Sequence, residues 1–260
     1  MPRFVVQPST PSAAGPGTAV VDVRVTTALG TSPLTLGDQF TYSGVPPEPS
    51  PDGLGAATSA EPTTSVTVVP RAHGDLLLAM VSTENAARVT VSGGGLSWDK
   101  VLDQGDTVAG DGGQISVWDA RATPGGSGPV TVDSAISGNG SWAQTLQVEA
   151  FTDAGGIGAT AFASGSADQS TSVVITPQQS GSWVSVAGYD ADSPAALTPL
   201  PAPFPALVLD GSYTDTVEMA QMWFQHTAVG TTAAGSVVAG DVLAPPGRWD
   251  LGAVEVLPAT

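Results

Sequence analysis

Short runs in which apolar and polar residues alternate, each closed by Gly, Pro, Asp or Ser, recur from Thr63 to the end of the chain, and they constrain the fold more than any other feature. A period of two is the signature of a strand, because successive side chains leave a pleated backbone on opposite faces. The runs predict strands at 64–70, 75–83, 87–91, 97–103, 113–121, 129–135, 141–151, 157–163, 171–176, 181–190, 205–210, 215–227, 235–243 and 248–257. With 32 glycines and 22 prolines punctuating the chain, long helices are not expected. The expected fold is all-β: a large two-sheet antiparallel β-sandwich, jelly-roll-like, over residues 63–260, with no evident internal repeat.

Upstream, Val21, Val23 and Val25 alternate with Asp22 and Arg24, Ala28-Leu29-Gly30 supplies a turn, and Phe40 and Tyr42 resume the alternation. Residues 18–42 resemble the second half of an IPT/TIG domain, an immunoglobulin-like fold that commonly ends in a Val-Asp-Val-x-Val strand, a Thr-Thr-x-x-Gly-Thr-Ser turn and an Asp-x-Phe-x-Tyr strand. The resemblance implies a small partial Ig-like segment over residues 1–44, since the family's first strands and their Gly-Pro-x-x-Gly-Gly segment have no counterpart here. Residues 45–62, rich in Pro, Ser, Gly and Ala, read as a linker, semi-stiff where proline is dense.

In the main region, five strings stand out: Gly74-Asp75-Leu76-Leu77-Leu78-Ala79, Leu96-Ser97-Trp98, Ile115-Ser116-Val117-Trp118, Gly181-Ser182-Trp183-Val184 and Gly247-Arg248-Trp249-Asp250-Leu251-Gly252. Together they resemble a sandwich module of actinobacterial secreted proteins and phage virion proteins. That resemblance implies a fold but no activity. Scarce Lys, Asn and Ile beside abundant Ala, Gly, Val, Thr and Pro reflect a high-G+C genome, which agrees with an actinobacterium or one of its phages as the source.

Charge narrows the partners. The chain has 24 Asp plus Glu against 7 Lys plus Arg, a net charge of −17, and so repels nucleic acid and anionic membrane faces, which are bound chiefly through Lys and Arg. The acids keep a Ser/Thr/Gly-rich surface hydrated. There are no cysteines, hence neither disulfides nor thiolate metal sites. No apolar run is long enough to span a bilayer, so membrane insertion is not expected. Residues 1–7 show neither an apolar stretch nor a small-residue cleavage site, so a virion or extracellular location implies transport within an assembled particle, the favoured route, or a chain numbered from a mature fragment.

Catalytic chemistry has little to work with. His73 and His226 are the two histidines. Gly125-Gly126-Ser127-Gly128-Pro129 is the nearest approach to a nucleophile elbow, but it ends in proline and no helix-forming sequence follows. His73 belongs to a turn. His226 shares strand parity with Met222 and Phe224, which predicts a buried, hydrogen-bonded structural histidine. Two isolated histidines do not make a zinc site. Asp190 and Asp192 at a strand end, and the acids between Asp103 and Asp111, are weak calcium candidates, with solvated loop carboxylates as the simpler reading. The chain is therefore read as a non-enzyme without a cofactor, although paired carboxylates for glycoside hydrolysis are a matter of three-dimensional spacing.

The aromatic residues carry the remaining expectation. Trp98 and Trp142 share parity with leucines and valines and are assigned to the core. Trp118 shares its face with Gln114 and Ser116, Trp183 with Ser185 and Tyr189, and Trp223 with Gln221 and Gln225. A solvent-facing Trp beside Gln or Tyr can stack on a sugar ring or seat a neighbouring protein. Trp118, Trp183, Tyr189, Trp223, Gln114, Gln221 and Gln225 are accordingly the expected contact residues. The expected function is structural or adhesive, in a phage virion or on a bacterial cell surface. Virion or cell-surface proteins and a surface glycan are the candidate partners, self-association into a homo-oligomer is left open, and a carbohydrate-binding module is the alternative.

Overall fold

The computed structural model describes residues 5–8, 19–27, 30–31, 39–42, 47–70, 75–84, 88–105, 113–122, 128–137, 143–192, 196–215, 219–231 and 235–259, those before residue 47 by their backbone alone. Among them every regular element is a strand, and every pairing is antiparallel. The chain divides into a unit ending at Pro47 and a larger one, Glu48–Ala259.

In the first unit β1 (Val5–Pro8) and β4 (Gln39–Tyr42) pair with successive stretches of β2 (Ala19–Thr27), and β3 (Gly30–Thr31) pairs with the end of β2. The Val21, Val23, Val25 alternation lies on β2, with Val21 opposite Phe40.

The second unit begins earlier than composition suggests. Residues 50–59, expected as linker, form β5 (Ser50–Ser59), which pairs along β12 (Gln144–Thr152). Its glycines serve close packing, not flexibility: a Cβ on Gly55 would lie 2.7 Å from the Val66 side chain, and one on Gly53 3.0 Å from the Val69 carbonyl.

From β5 the chain runs through β6 (Thr63–Val68), β7 (Leu76–Thr83), β8 (Arg88–Gly93), β9 (Asp99–Gly105), β10 (Gln114–Arg121) and β11 (Val130–Ser137) to β12. These make a five-stranded sheet, β5-β12-β7-β10-β9, and a three-stranded sheet, β6-β11-β8. The chain then repeats the circuit with β13 (Ala154–Ser170), β14 (Val173–Ile175), β15 (Trp183–Asp190), β16 (Ala196–Pro199), β17 (Leu207–Asp215), β18 (Ala220–Thr227), β19 (Val237–Ala239) and β20 (Asp241–Pro258). Its large sheet is β13-β20-β15-β18-β17, the same first-eighth-third-sixth-fifth order, and β14 pairs with β19 as β6 does with β11. The fourth strand, β16, pairs with Asp241–Ala244 at the start of β20.

The expected sandwich is thus doubled into two jelly rolls. One core lies between the sheets of the first, built on Val66, Val89, Val132, Leu77, Val81 and Leu146. A second lies within the other, built on Val173, Ile175, Val184, Val186, Trp223 and Leu251. The third, with Leu76, Leu78, Met80, Ile115, Phe151, Tyr189, Met222, Phe224 and Val254, fills the seam where the two large sheets face each other. Strand β7 is covered on both faces, which is why it reads Leu-Leu-Leu-Ala-Met-Val without polar interruption.

The halves are in register. Gln114 lies opposite Thr83 and Ile115 opposite Ser82, while Gln221 lies opposite Asp190 and Met222 opposite Tyr189. Both strands are displaced by 107 residues (221 − 114 and 190 − 83). Each fifth strand also carries one extra residue at the same place, Val101 facing the Val117/Trp118 step and Asp210 facing the Phe224/Gln225 step. Such bulges are built features that re-aim a side chain. The seam is close to two-fold symmetric: Gly252 packs against Leu102, and their counterparts, Gln147 and Gly211, also face each other.

Candidate functional site

The expected contact face does not exist as one surface, because both faces of each large sheet are covered. Trp223 is wholly buried in the second jelly roll, and its Nε1 donates to Asp241 Oδ2 at 3.0 Å. Gln225 is buried beside it and donates through Nε2 to the same oxygen at 2.7 Å. Burial raises the Asp241 pKa, opposed by these two hydrogen bonds. Gln221 is buried on the same strand. Tyr189 is buried in the seam, donating its hydroxyl to the Glu84 carbonyl at 3.2 Å. Gln114 is buried and donates to Asp103. Half-buried Trp118 packs against the first core, donates to Ser116 Oγ at 2.8 Å, and carries the Lys100 ammonium 4.9 Å from its ring centre. A polar neighbour on the same parity marked buried amides and hydroxyls here, not solvent.

Other expectations shift as well. Trp98 is half-buried at the edge of the first core with Leu96, while Leu102 turns into the seam. The bulge at Val101 reverses the parity that placed them together. Trp142 and His73 lie outside the described residues. Asp192 is exposed and gripped by Arg248, whose Nη2 and Nε donate to Oδ1 at 2.8 and 3.0 Å; the guanidinium lowers its pKa. Asp190 is buried and accepts the Asp192 amide at 3.1 Å. No group of three or more His, Cys, Asp or Glu among the described residues is placed to hold a metal ion.

Two acidic sites were not legible in the sequence. Glu255, buried in the second jelly roll, accepts from Gln178 N at 2.8 Å, Gln179 N at 3.2 Å and Ser182 Oγ at 2.6 Å through Oε1, and from Ala159 N at 2.8 Å through Oε2. It ties the turn before β15 to the edge strand β13.

The other is a polar end of the seam. His226, predicted as a hydrogen-bonded structural histidine, is largely buried, and its Nδ1 is 2.9 Å from Asp210 Oδ2. The bulge in β17 presents Asp210 there. Ser185 stands opposite His226 on β15, so three neighbouring strands carry an Asp-His-Ser row. Trp183 stacks on the imidazole, centroids 4.9 Å apart, and Phe151 meets Trp183 edge-on.

Strand β12 of the first jelly roll lies over this row. Thr145 Oγ1 donates to Met222 Sδ at 3.2 Å, Gln147 Oε1 sits over Gly211, and Glu149 follows with Asp210 as its charged neighbour. Burial first, then the Asp210 charge, push the Glu149 carboxyl up to about 8. The Gln147 amide, Glu149 Oε2, Trp183 Nε1 and Ser185 Oγ have no hydrogen-bond partner.

Ser185 is wholly buried mid-strand, its Oγ makes no hydrogen bond to His226, and β15 is paired on both sides, so the row is not arranged as a nucleophile and its base. A cleft of 310 Å³ elsewhere in the second jelly roll is lined by Pro205, Ala206, Thr227, Val229, Thr231 and Val237, with no charged group or histidine among its lining residues. Comparison of the chain with family models, with curated proteins and with solved structures gives no match.

Proposed function

We propose that the chain is a non-enzymatic structural or adhesion protein of a phage virion or a bacterial cell surface. The observation that carries this reading is the sealing of the Asp210-His226-Ser185 row beneath β12, which leaves the best chemical constellation among the described residues without room for a substrate. The exposed face of the three-stranded sheet adds to it. There Ser65, Thr67, Thr131 and Thr90 form a flat hydroxyl array, with Thr67 and Thr131 hydroxyls 3.0 Å apart across the strands. Such a face presents hydroxyl groups to a partner surface, with Asp133 on the middle strand accepting from Ser65 Oγ. Virion or surface proteins are the partners of choice.

The test is quantitative proteomics of purified particles and of the cell envelope, beside a glycan array and a hydrolase panel with the purified chain. Stoichiometric recovery with particle or envelope is the expected result. Turnover that His226→Ala abolishes would overturn the reading. Glycan binding by the free chain, lost in Trp118→Ala, would move it to a carbohydrate-binding module.

A further inference from the structure

A fully buried carboxyl is tolerated in a sheet interface only if it is paired or neutral, since an isolated ionised one costs far more than a hydrogen bond returns. Glu149 is 2% exposed and its Oε2 has no partner. Across the seam the groups facing it are Asp210 on β17, an acid, and His226 on β18, already held by Asp210. On its own sheet the charged groups of the seam face nearest to it in register are Asp119 and Arg121 on β10, beyond β7 and coupled to each other. Among the described residues no Lys or Arg is placed to neutralise an ionised Glu149.

The symmetric counterpart of this site sharpens the point. Register equates Glu149 with Val254, Asp210 with Val101, Ser185 with Leu78 and Trp183 with Leu76. The same register equates His226 with Asp119, so one end of the seam sets Val254, Val101, Leu78 and Leu76 beside an acid that has Arg121 as its cation, while the other holds Glu149 with no partner on Oε2.

We infer that the seam is a proton-operated latch: the two jelly rolls are closed along β12 and β17–β18 while Glu149 is protonated, and that end parts when the proton leaves. Loss of the proton sets two carboxylates against each other in a buried site, with the Gln147 amide and the Trp183 N–H free to be wetted once the strands separate. The opposite end, where Val254, Val101, Leu78 and Leu76 meet, and the two internal cores hold the molecule together.

The experiment is hydrogen–deuterium exchange of the whole chain from pH 6 to pH 9.5, corrected for the intrinsic pH dependence of exchange, with a carboxyl carbon NMR titration alongside. Expected are a carboxyl resonance titrating near pH 8 and at least tenfold faster exchange in 144–152 and 207–227 above it, while β6, β11 and β14 keep their protection. Glu149→Gln removes both effects, and Glu149→Val, which copies Val254, does the same. Asp210→Asn moves the midpoint down by removing the facing charge. Equal exchange profiles in the wild type and in either Glu149 variant would overturn the latch, as would loss of protection in every strand at once. Should the Glu149 variants not fold, the unaltered chain's carboxyl titration decides: a Glu149 resonance titrating below pH 6 excludes the latch.

Discussion

Where one end of the seam has Glu149, Asp210, Ser185 and Trp183, the other has Val254, Val101, Leu78 and Leu76, on the same strands of the same circuit. The same contrast runs through the interiors. Val81 opposite Ser116 in the first jelly roll becomes Gly188 opposite Trp223 in the second, where a Cβ on Gly188 would collide with the indole. Ala150 of the first becomes Glu255 of the second. Ladder and bulge are held by backbone pairing and by which face each residue takes. Residue identity is freer, provided that volume is exchanged across the strands and each buried polar group finds a partner. The first jelly roll is cored mainly by aliphatic contact, with Gln144 accepting from Ser134 inside it, and the second depends more on hydrogen-bonded anchors, Asp241 and Glu255.

The sharpest way to break that contrast is to remove an anchor. Glu255→Ala leaves three backbone N–H groups without their acceptor and the Ser182 hydroxyl with only the Gln179 carbonyl. It is expected to cost about 4 kcal/mol, read from a denaturant midpoint. Glu255→Gln should recover part of this, because the amide oxygen still accepts. A loss below about 1 kcal/mol would mean that the turn before β15 is held by something other than Glu255.

The tryptophans give the next effect. Trp223→Ala removes a fully buried indole and leaves Asp241 Oδ2 with Gln225 as its remaining side-chain donor, with an expected cost of about 3 to 5 kcal/mol. Trp118→Ala, half-buried under Lys100, is expected to cost about 1 kcal/mol. Equal costs would erase the distinction between an anchored and an aliphatic core.

These expectations reverse part of what the alternation alone implies, and the reversal shows what was legible. Strand positions were readable because a pleat forces period two, and β7 was readable as buried by its unbroken apolar run. The side taken by Trp223 or Gln225 was not, because parity separates two faces without saying which is wet, and here neither is. The duplication was hidden for a related reason. Gly53-Leu54-Gly55-Ala56 and Gly156-Ile157-Gly158-Ala159 sit on the equivalent first strands, yet so short a string signals nothing until topology pairs it. Composition made β5 look like linker because close packing and flexibility both select glycine. Asp210 and Glu149 lie far apart in sequence, so their encounter belongs to the seam.

Protonation gives an intermediate effect. The Glu149 pKa is raised on folding from an ordinary 4.5 to about 8, so the native state binds more protons than the unfolded chain between those values. Stability is then full below about pH 4.5 as far as this group is concerned and falls as pH rises through 8. Raising the pH from 6 to 8 is expected to lower stability by about 2 kcal/mol, with Asp241 adding in the same direction at lower pH. Glu149→Gln should flatten the dependence of Tm on pH in that range. A wild-type Tm that climbs between pH 6 and 8 would contradict the assignment of a protonated Glu149.

The smallest effect belongs to Asp192 and Arg248, the pair that replaces the expected calcium site. Their geometry is good, with the Asp192 carboxylate gripped through the guanidinium and also through the Arg248 backbone amide at 2.9 Å. Both side chains are nevertheless about one-third exposed, at 38% and 32%. An exposed pair loses most of its Coulomb attraction to water and salt, so Asp192→Asn is expected to cost about 0.5 kcal/mol. Because the guanidinium lowers the Asp192 pKa, the contribution is present above the unfolded value and is lost as pH falls through the folded one. That is opposite in sign to Glu149. Stability curves of Asp192→Asn and the parent should therefore converge as pH falls through the folded Asp192 pKa, while those of Glu149→Gln and the parent diverge above pH 6. If calcium raised the parent's Tm and Asp192→Asn abolished the rise, the carboxylate would be exchanging its guanidinium for a metal, and the ion-pair assignment would give way.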